Sequence, residues 1–229
     1  MSRPLAEGLR SMKLLSVNIG KPRGVPCQGK LVRTGIYKEP VSGAVMANEL
    51  GLEGDGQADL SVHGGKDKAV YAYPHEHYAY WADELGRDDF VFGQFGENLT
   101  VEGLLESDLA VGDRLRIGDA LLEVSQPRSP CLKLGIRMRQ ADFPKRFVAS
   151  GKSGFYLRVI ESGSLSAGDP IEHLQGGQGL PTLSELLDAY YHVGDHVELV
   201  KRAIDTPALS QAWRDDFTKH LQRLAEARD

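Results

Sequence analysis

The segment Leu122-Glu-Val-Ser-Gln-Pro-Arg-Ser-Pro-Cys-Leu-Lys133 joins a β-prone run to a loop that contains two prolines. Proline restricts its own φ angle and biases the preceding residue towards extended geometry, so Pro127 and Pro130 make this loop stiff. The loop carries the Arg128 guanidinium and, three residues later, the Cys131 thiol. Because a nearby cation favours the charged thiolate, the segment suits a cysteine that is held ready for chemistry.

The segment alone leaves three roles open for Cys131. It could be a nucleophile with a histidine partner, a ligand for a soft or high-valent transition metal, or a small buried apolar side chain in a proline turn. The second cysteine, Cys27, lies in the turn-like run Pro-Cys-Gln-Gly and is assigned no role. Two cysteines do not match the structural zinc patterns with four ligands, and we expect two independent thiols rather than a disulfide.

The composition is that of an ordinary globular protein. Of the 229 residues, 41% are hydrophobic and 26% are charged, and the net charge is −5. The basic residues are scattered along the chain, which argues against a nucleic-acid surface. No apolar run approaches the roughly 20 residues of a membrane helix, and the amino terminus does not resemble a secretory signal, so we expect no membrane partner and a cytoplasmic location.

Short β-prone runs separated by glycine- and proline-rich turns dominate residues 13–175. Many short strands at close spacing predict a β-barrel rather than a sheet of βαβ units. One helix is predicted over residues 75–85, ended by Gly86, and another over residues 140–149. The predicted strands include residues 13–18, 30–37, 44–47, 69–73, 154–161 and 170–174.

After a glycine-rich linker at residues 176–179, the pattern becomes helical. Thr182 with Glu185 three residues later matches a capping box, and apolar residues then recur at helical spacing. Two more helices are predicted, one opening at Asp195 and one carrying Leu209, Trp213, Phe217, Leu221 and Leu224. We therefore predict two domains, 13–175 and 180–229. Three short helices are marginally stable alone, so we expect them to dock onto the barrel or onto another subunit, as in a homodimer.

Two glycine-rich segments place backbone N–H groups beside cations. They are Gly51-Leu-Glu-Gly-Asp55 and His63-Gly-Gly-Lys-Asp-Lys68. Such segments suit phosphate or another anion, but ordinary hairpin loops have a similar composition. His63 is the one histidine in a glycine loop, so it is a candidate dyad partner for Cys131, although a loop histidine equally often bonds the backbone.

His75 and His77 lie two residues apart in the first predicted helix. Side chains at that spacing do not face each other, so the pair cannot share one metal ion, and we expect both on the surface. A zinc deaminase is also excluded, because Pro130-Cys131 is not followed by the second cysteine that this motif requires.

Five segments in a fixed order make the sequence recognisable. They are Thr34-Gly-Ile-Tyr-Lys-Glu-Pro-Val41, Gly51-Leu-Glu-Gly-Asp55, Val62-His-Gly-Gly-Lys-Asp-Lys-Ala-Val-Tyr71, Phe95-Gly-Glu-Asn-Leu-Thr100 and Ser125-Gln-Pro-Arg-Ser-Pro-Cys131. Together they closely resemble MOSC-domain proteins of the YiiM type, a family named after the C-terminal domain of molybdenum cofactor sulfurases. The resemblance spans residues 13–175, and the last helices resemble the three-helix appendage of these proteins.

The resemblance implies a mainly β fold with α-helices: a MOSC-type β-barrel, similar to the pyruvate kinase barrel, with a small C-terminal three-helix domain. It implies that the molybdenum–pterin cofactor binds with Cys131 as the thiolate ligand to molybdenum. It also implies an oxidoreductase that reduces small N-hydroxylated compounds, such as hydroxylaminopurines and amidoximes. A separate flavoprotein would supply the electrons, since the chain has neither a ferredoxin-like cysteine cluster nor a Rossmann fingerprint.

The matched motifs also suggest which residues bind the cofactor. Arg128, Lys66 and Lys68 are suited to the phosphate of a pyranopterin. Two alternatives stay open: a carrier of the cofactor or of sulfur without reductase turnover, and a metal-free hydrolase that uses Cys131 with His63. The full set of expected cofactor-binding residues is Arg128, His63, Gly64, Gly65, Lys68, Asp55, Asn98 and Arg158.

Overall fold

The computed structural model describes residues 11–58, 64–174, 176 and 179–227. The strands are β1 (Lys13–Ile19), β2 (Arg23–Cys27), β3 (Lys30–Thr34), β4 (Glu39–Pro40), β5 (Val45–Asn48), β6 (Gly51–Leu52), β7 (Val70–Pro74), β8 (Leu99–Glu102), β9 (Arg114–Ile117), β10 (Ala120–Pro127), β11 (Phe155–Glu161), β12 (Gly163–Leu165) and β13 (Ile171–Leu174). The helices are α1 (Glu76–Leu85), α2 (Leu132–Met138), α3 (Phe143–Ala149), α4 (Leu183–Tyr191), α5 (Val197–Asp205) and α6 (Gln211–Glu226).

The largest sheet has eight strands in the order β13-β9-β10-β11-β7-β8-β1-β4. Its β7 and β8 are parallel, and its other ladders are antiparallel. The regular ladders do not close this sheet into a barrel. Instead, an isolated antiparallel bridge joins Lys13 to Pro170, and the Leu14 N–H donates to the Asp169 carbonyl oxygen at 3.0 Å. The predicted fold class is confirmed, with irregular contacts where a closed barrel would have a continuous ladder.

Strand β10 positions the cysteine loop. It pairs with β9 on one side and β11 on the other, and nearly all of its residues are buried, as in a central strand. The strand ends at Pro127, which has no N–H to continue a ladder. Arg128 and Cys131 therefore follow directly from the end of a deeply buried strand.

The C-terminal helices share a hydrophobic core with the sheet. Leu186, Trp213 and Phe217 belong to the same buried cluster as Leu115 and Leu122 of the sheet. The expectation that these helices dock onto the barrel is therefore confirmed within a single chain. A second cluster is strongly aromatic and lies among β7, α1, α2 and α3; its largest members are Tyr73, Trp81, Phe95, Phe143 and Phe147.

Helix α4 begins with the predicted capping box. The Thr182 hydroxyl accepts from the Glu185 N–H at 3.2 Å, and the Glu185 carboxylate accepts from the Thr182 N–H at 2.8 Å. Helix α5 begins at Val197, two residues after the predicted start at Asp195, because residues 193–195 form a 3₁₀ turn. Residues 177 and 178 of the predicted linker lie outside the described residues.

The structure corrects two details of the sequence-based expectations. Helix α2 was not predicted, since it is short and has Gly135 at its centre, which weakens the helical signal. The surface location expected for His77 was wrong: only 7% of the residue is exposed, and its Nε2 lies 2.8 Å from the Glu106 carboxylate. The inner face of α1 packs on the aromatic cluster, and Glu106 supplies the polar partner that a buried imidazole requires.

The described helices include none that is long and apolar enough to cross a membrane.

Candidate functional site

A cavity of about 90 Å³ opens beside the end of β10. Its lining includes the cationic side chains of Lys38, Lys68, Arg128 and Lys133 together with Cys131. Within the described part of the chain, no aspartate or glutamate lines it. A concave site that brings several cations and a thiol together favours an anionic ligand.

Arg128 is buried in the wall of this cavity. Its Nη1 donates to the Tyr71 hydroxyl at 3.0 Å and to the Phe95 carbonyl oxygen at 2.9 Å, and its guanidinium lies 4.4 Å from the centre of the Tyr71 ring. Burial would lower the pKa of Arg128, but Tyr71, Tyr156 and Cys131 raise it above its usual value, so this side chain stays charged. The structure thus places a permanent cation within electrostatic reach of the thiol.

Two phenols accompany this cation. Burial is the main reason why the pKa values of Tyr71 and Tyr156 are raised, and Arg128 opposes the rise in both. Both side chains line the cavity, and Cys131 adds to the rise in the pKa of Tyr156. Because their pKa values are raised, both phenols keep their protons near neutral pH and remain hydrogen-bond donors.

The Phe95-Gly-Glu-Asn-Leu-Thr motif is organised by a buried carboxylate. Glu97 accepts from the Phe95 N–H at 3.0 Å, from the Thr100 hydroxyl at 3.0 Å and from the Tyr78 phenol. Burial raises the pKa of Glu97, and these hydrogen bonds oppose the rise. Glu97 shapes the loop whose Phe95 carbonyl oxygen holds Arg128. No motif-based reasoning singled it out, because its partners come together only in the folded loop.

Asn98 and Asp55 were both expected at the cofactor site. Asn98 lines the cavity, accepts from the Tyr71 N–H at 3.2 Å and donates to the Asp55 carboxylate at 2.9 Å. Asp55 lines a neighbouring depression and forms a buried ion pair, 2.5 Å long, with the Lys38 ammonium group. Burial lowers the pKa of Lys38, and Asp55 opposes this shift. Asp55 therefore holds a cation that itself reaches the cavity.

The second glycine loop is only partly described. Gly64 and Lys68 line the cavity, and Gly65 between them is exposed with a positive φ of 77°. His63 lies outside the described residues, so its predicted role and the dyad with Cys131 stay predictions.

Arg158, also expected at the cofactor site, is engaged by two carboxylates. Its Nε lies 2.8 Å from Asp67 and its Nη1 lies 2.8 Å from Glu123. This double ion pair ties the strand β11 to the loop that carries Lys68. These contacts are typical of a residue that stabilises the position of the loop. The predicted contact of Arg158 with the cofactor stays a prediction.

The C-terminal helices reach the edge of the site. The Gln211 N–H at the start of α6 donates to Asp67 at 3.2 Å, beside the cavity residue Lys68. At the end of α4, burial raises the pKa of Tyr191 and Ser129 of the cysteine loop opposes the rise, so α4 also comes close to this loop. The sequence did not indicate these contacts, because they join residues far apart in the chain.

Two glycines allow the cavity walls to approach closely. A Cβ atom at Gly35 would lie 2.5 Å from the Gly56 carbonyl oxygen, and one at Gly96 would lie 2.6 Å from the Ile36 side chain. Gly96 also has a φ of +83°, which L-residues rarely adopt. Strand β3 ends at Thr34, opposite the first residue of its partner β2, so it is shorter than the predicted strand, which ended at residue 37, and the residues that follow line the cavity.

The comparisons with known proteins agree with this architecture. A family model described as MOSC domain matches residues 59–172, and a model described as YiiM-like, 3-alpha helix domain matches residues 181–224. Protein YiiM of Escherichia coli (strain K12) is 40% identical over 207 residues, which are 90% of this chain and 91% of that protein. The crystal structure of YiiM from Geobacillus stearothermophilus has a TM-score of 0.78 at 39% identity, and the match covers 92% of this chain and 99% of that chain.

A third relative is a longer protein. The Gibberella moniliformis protein named Reductase is 34% identical over 165 residues, which are 71% of this chain and 29% of that protein. The chain belongs to the MOSC-domain family, among the YiiM-like proteins that carry a three-helix domain after the MOSC domain. The resemblance inferred from five ordered motifs is thereby confirmed.

Proposed function

We propose that this protein is an oxidoreductase that binds the molybdenum–pterin cofactor through Cys131 and reduces N-hydroxylated compounds. The observation that carries the proposal is the cavity in which Cys131 lies with Arg128, Lys68 and Lys133 and without a described acidic residue. A thiolate is a suitable ligand for a transition metal, and ammonium and guanidinium groups suit the phosphate of a pterin cofactor.

The residues present fit such a cofactor. The cavity lining combines a thiol with guanidinium and ammonium groups and with the glycine backbones of Gly56 and Gly64, which are groups that suit a phosphate-bearing cofactor. The Arg128 guanidinium is held by the Tyr71 hydroxyl and the Phe95 carbonyl oxygen and acts electrostatically on Cys131. It would therefore favour the thiolate form that binds a metal.

The reduction requires two electrons and two protons: R–NHOH becomes R–NH₂ and water. When bound, the cofactor would supply the electrons and accept the oxygen of the N–OH group. The stiff proline loop would hold the Cys131 sulfur in place, and the Tyr156 phenol, which keeps its proton, would donate a hydrogen bond into the cavity. The protein's own contribution is thus orientation and the charge state of the thiol.

Relatives support the class of reaction. MOSC domains are associated with the molybdenum cofactor at the level of the family, and one relative is named Reductase. For this chain we propose a separate flavoprotein as electron donor and a small N-hydroxylated molecule as substrate. The cytoplasmic location and the homodimer stay predictions.

Metal analysis of matched cysteine variants tests the proposal. The wild type, Cys131→Ser and Cys27→Ser would be purified from a host that makes the cofactor, and molybdenum per chain would be measured. We expect stoichiometric molybdenum and reduction of 6-N-hydroxylaminopurine for the wild type and for Cys27→Ser, and loss of both for Cys131→Ser.

Each other outcome has a defined meaning. Equal molybdenum in the wild type and in Cys131→Ser would contradict the ligand assignment. Cys131-dependent molybdenum without turnover, in the presence of a competent flavoprotein, would instead support a carrier of the cofactor.

A further inference from the structure

We propose that Arg23, Tyr37 and Arg137 form a second anion subsite beside the cavity, which binds a phosphate monoester. This inference rests on the proposed function, because the phosphate would belong to an N-hydroxylated nucleotide substrate or to the cofactor. It extends that function by assigning a phosphate-binding role to residues outside the cavity lining, of which Arg23 and Arg137 also lie outside the matched motifs.

The two arginines converge on one aromatic ring. The guanidinium carbon of Arg23, at the start of β2, lies 4.1 Å from the centre of the Tyr37 ring, and that of Arg137, in α2, lies 4.9 Å from it. Arg137 is anchored by a hydrogen bond of 3.3 Å from its Nε to the Gln94 carbonyl oxygen. The hairpin and the helix thus bring two cations together although they are more than a hundred residues apart.

The positive charge of this pair is not neutralised locally. In the part of the chain that the structure describes, neither Arg23 nor Arg137 forms an ion pair, whereas Arg158 contacts two carboxylates. Burial lowers the pKa of Arg137, and the charge of Arg23 lowers it further. Tyr37 and then Glu97 oppose this lowering of the pKa, and the Glu97 carboxylate is already hydrogen bonded to its own loop. A bound anion would relieve the repulsion between the two cations.

The subsite is continuous with the cavity. Tyr37 lies between Ile36 and Lys38, which both line the cavity. Lys133, a third lining residue, precedes Arg137 by four positions in the run that forms α2, so their side chains lie on the same side of the helix. The cationic wall therefore extends outwards from the cavity to the arginine pair.

A phosphate monoester suits this arrangement best. Guanidinium groups bind phosphate oxygens through two parallel N–H donors, and the two guanidiniums beside the Tyr37 ring would supply such donors to one dianion. The half-buried Arg137 would give affinity, while the exposed Arg23 would close over the ligand from the hairpin. A phosphate at one end of a substrate would leave its N–OH group free to enter the cavity.

Charge-removing variants test the subsite. Arg23→Gln and Arg137→Gln would be compared with Arg139→Gln, which removes an exposed charge just after α2, and equal melting temperatures would confirm that all three fold. The readouts are molybdenum per chain and kcat/KM for N6-hydroxyadenosine 5′-monophosphate and for its nucleoside.

We expect the preference for the nucleotide over the nucleoside to fall about tenfold or more in both subsite variants, since hydrogen bonds to a charged ligand are lost. That fall with unchanged molybdenum identifies the substrate phosphate. A fall in molybdenum, with equal losses for both substrates, identifies the cofactor phosphate. Unchanged molybdenum and unchanged preference overturn the subsite.

Binding of adenosine 5′-monophosphate by calorimetry separates this inference from the proposed function. If no preparation reduces either substrate, the reductase proposal fails. The calorimetric binding measurement then tests the phosphate subsite by itself. We expect about tenfold weaker binding in Arg23→Gln and Arg137→Gln than in Arg139→Gln. Equal affinities in all three variants overturn it.

Discussion

Arg128 donates a hydrogen bond of 2.9 Å to the carbonyl oxygen of Phe95, and this contact joins the cysteine loop to the Phe95-Gly-Glu-Asn-Leu-Thr loop. The two segments are more than 30 residues apart in the chain and belong to different motifs. The same guanidinium also contacts the Tyr71 phenol. Arg128 is therefore both a structural connection between motifs and the permanent cation beside Cys131.

Replacing Arg128 should cost considerable stability. Arg128→Gln removes a buried, hydrogen-bonded cation and leaves the Phe95 carbonyl oxygen without this donor. We expect the free energy of unfolding to fall by about 3 kcal/mol, measured by urea denaturation. The matched control is Arg116→Gln, which removes an exposed ion pair with Glu161 and should cost less than about 1 kcal/mol. Equal losses in the two variants would show that Arg128 does not connect the loops.

Glu97 should make stability depend on pH. Its pKa in the folded state is raised above the usual value of 4.5, mainly by burial, so the folded protein binds more protons than the unfolded chain above that pH. The contribution of Glu97 to stability is therefore complete below pH 4.5 and declines as the pH rises through the raised pKa.

Glu97→Gln removes this dependence. We expect the variant to be less stable than the wild type, because its amide nitrogen cannot accept from the loop N–H groups. The difference in the free energy of unfolding between the two proteins should shrink as the pH rises from 4.5 towards neutrality. Urea denaturation at several pH values measures this difference, and an increase with pH would contradict the raised pKa.

Gly96 is required where the cavity walls meet. Gly96→Ala would strain a φ of +83° and place a Cβ 2.6 Å from Ile36. Gly65→Ala is the matched control: its φ is +77°, but apart from its chain neighbours no atom of the described residues lies within 4 Å of the added Cβ. Both variants carry a similar backbone cost of about 1 kcal/mol. We expect Gly96→Ala to lose at least that much again in the free energy of unfolding, and equal losses would argue against close packing of the wall.

The C-terminal helices should not be separable from the sheet. Leu186, Trp213 and Phe217 pack in the same core as the sheet, so deletion of residues 180–229 would expose an apolar surface on the sheet. We expect the truncated protein to be poorly soluble and to bind a hydrophobic dye. A soluble truncated protein with the melting temperature of the full chain would show that the helices are an independent unit.

Several features could be predicted because they depend on local physics. Pro127 ends β10 through its missing N–H, and Thr182 with Glu185 starts α4 through two short-range hydrogen bonds. The order of the five motifs predicted the family. The helical spacing of the apolar residues, which include Leu186 and Phe217, predicted the helix faces that are buried in the folded protein. In each case the determining residues are close in sequence or repeat with a regular period.

Other features depend on residues that only the fold brings together. The burial of His77 follows from Glu106, and the role of Arg158 from its contacts with Asp67 and Glu123. Partner choice over such distances is set by strand order and helix packing, for which a single sequence carries no local signal.

The cysteine loop has features of both kinds, some set by the local sequence and some set by tertiary contacts. Sequence alone determined that Cys131 lies in a stiff loop, three residues after a cation, because proline restricts the backbone wherever it occurs. Only the tertiary structure decided that Lys38, Lys68 and Lys133 share the cavity with this thiol and that Arg23 meets Arg137 beside it. The reason is physical: local stiffness is a property of neighbouring residues, whereas a binding site requires distant side chains to meet in one folded chain.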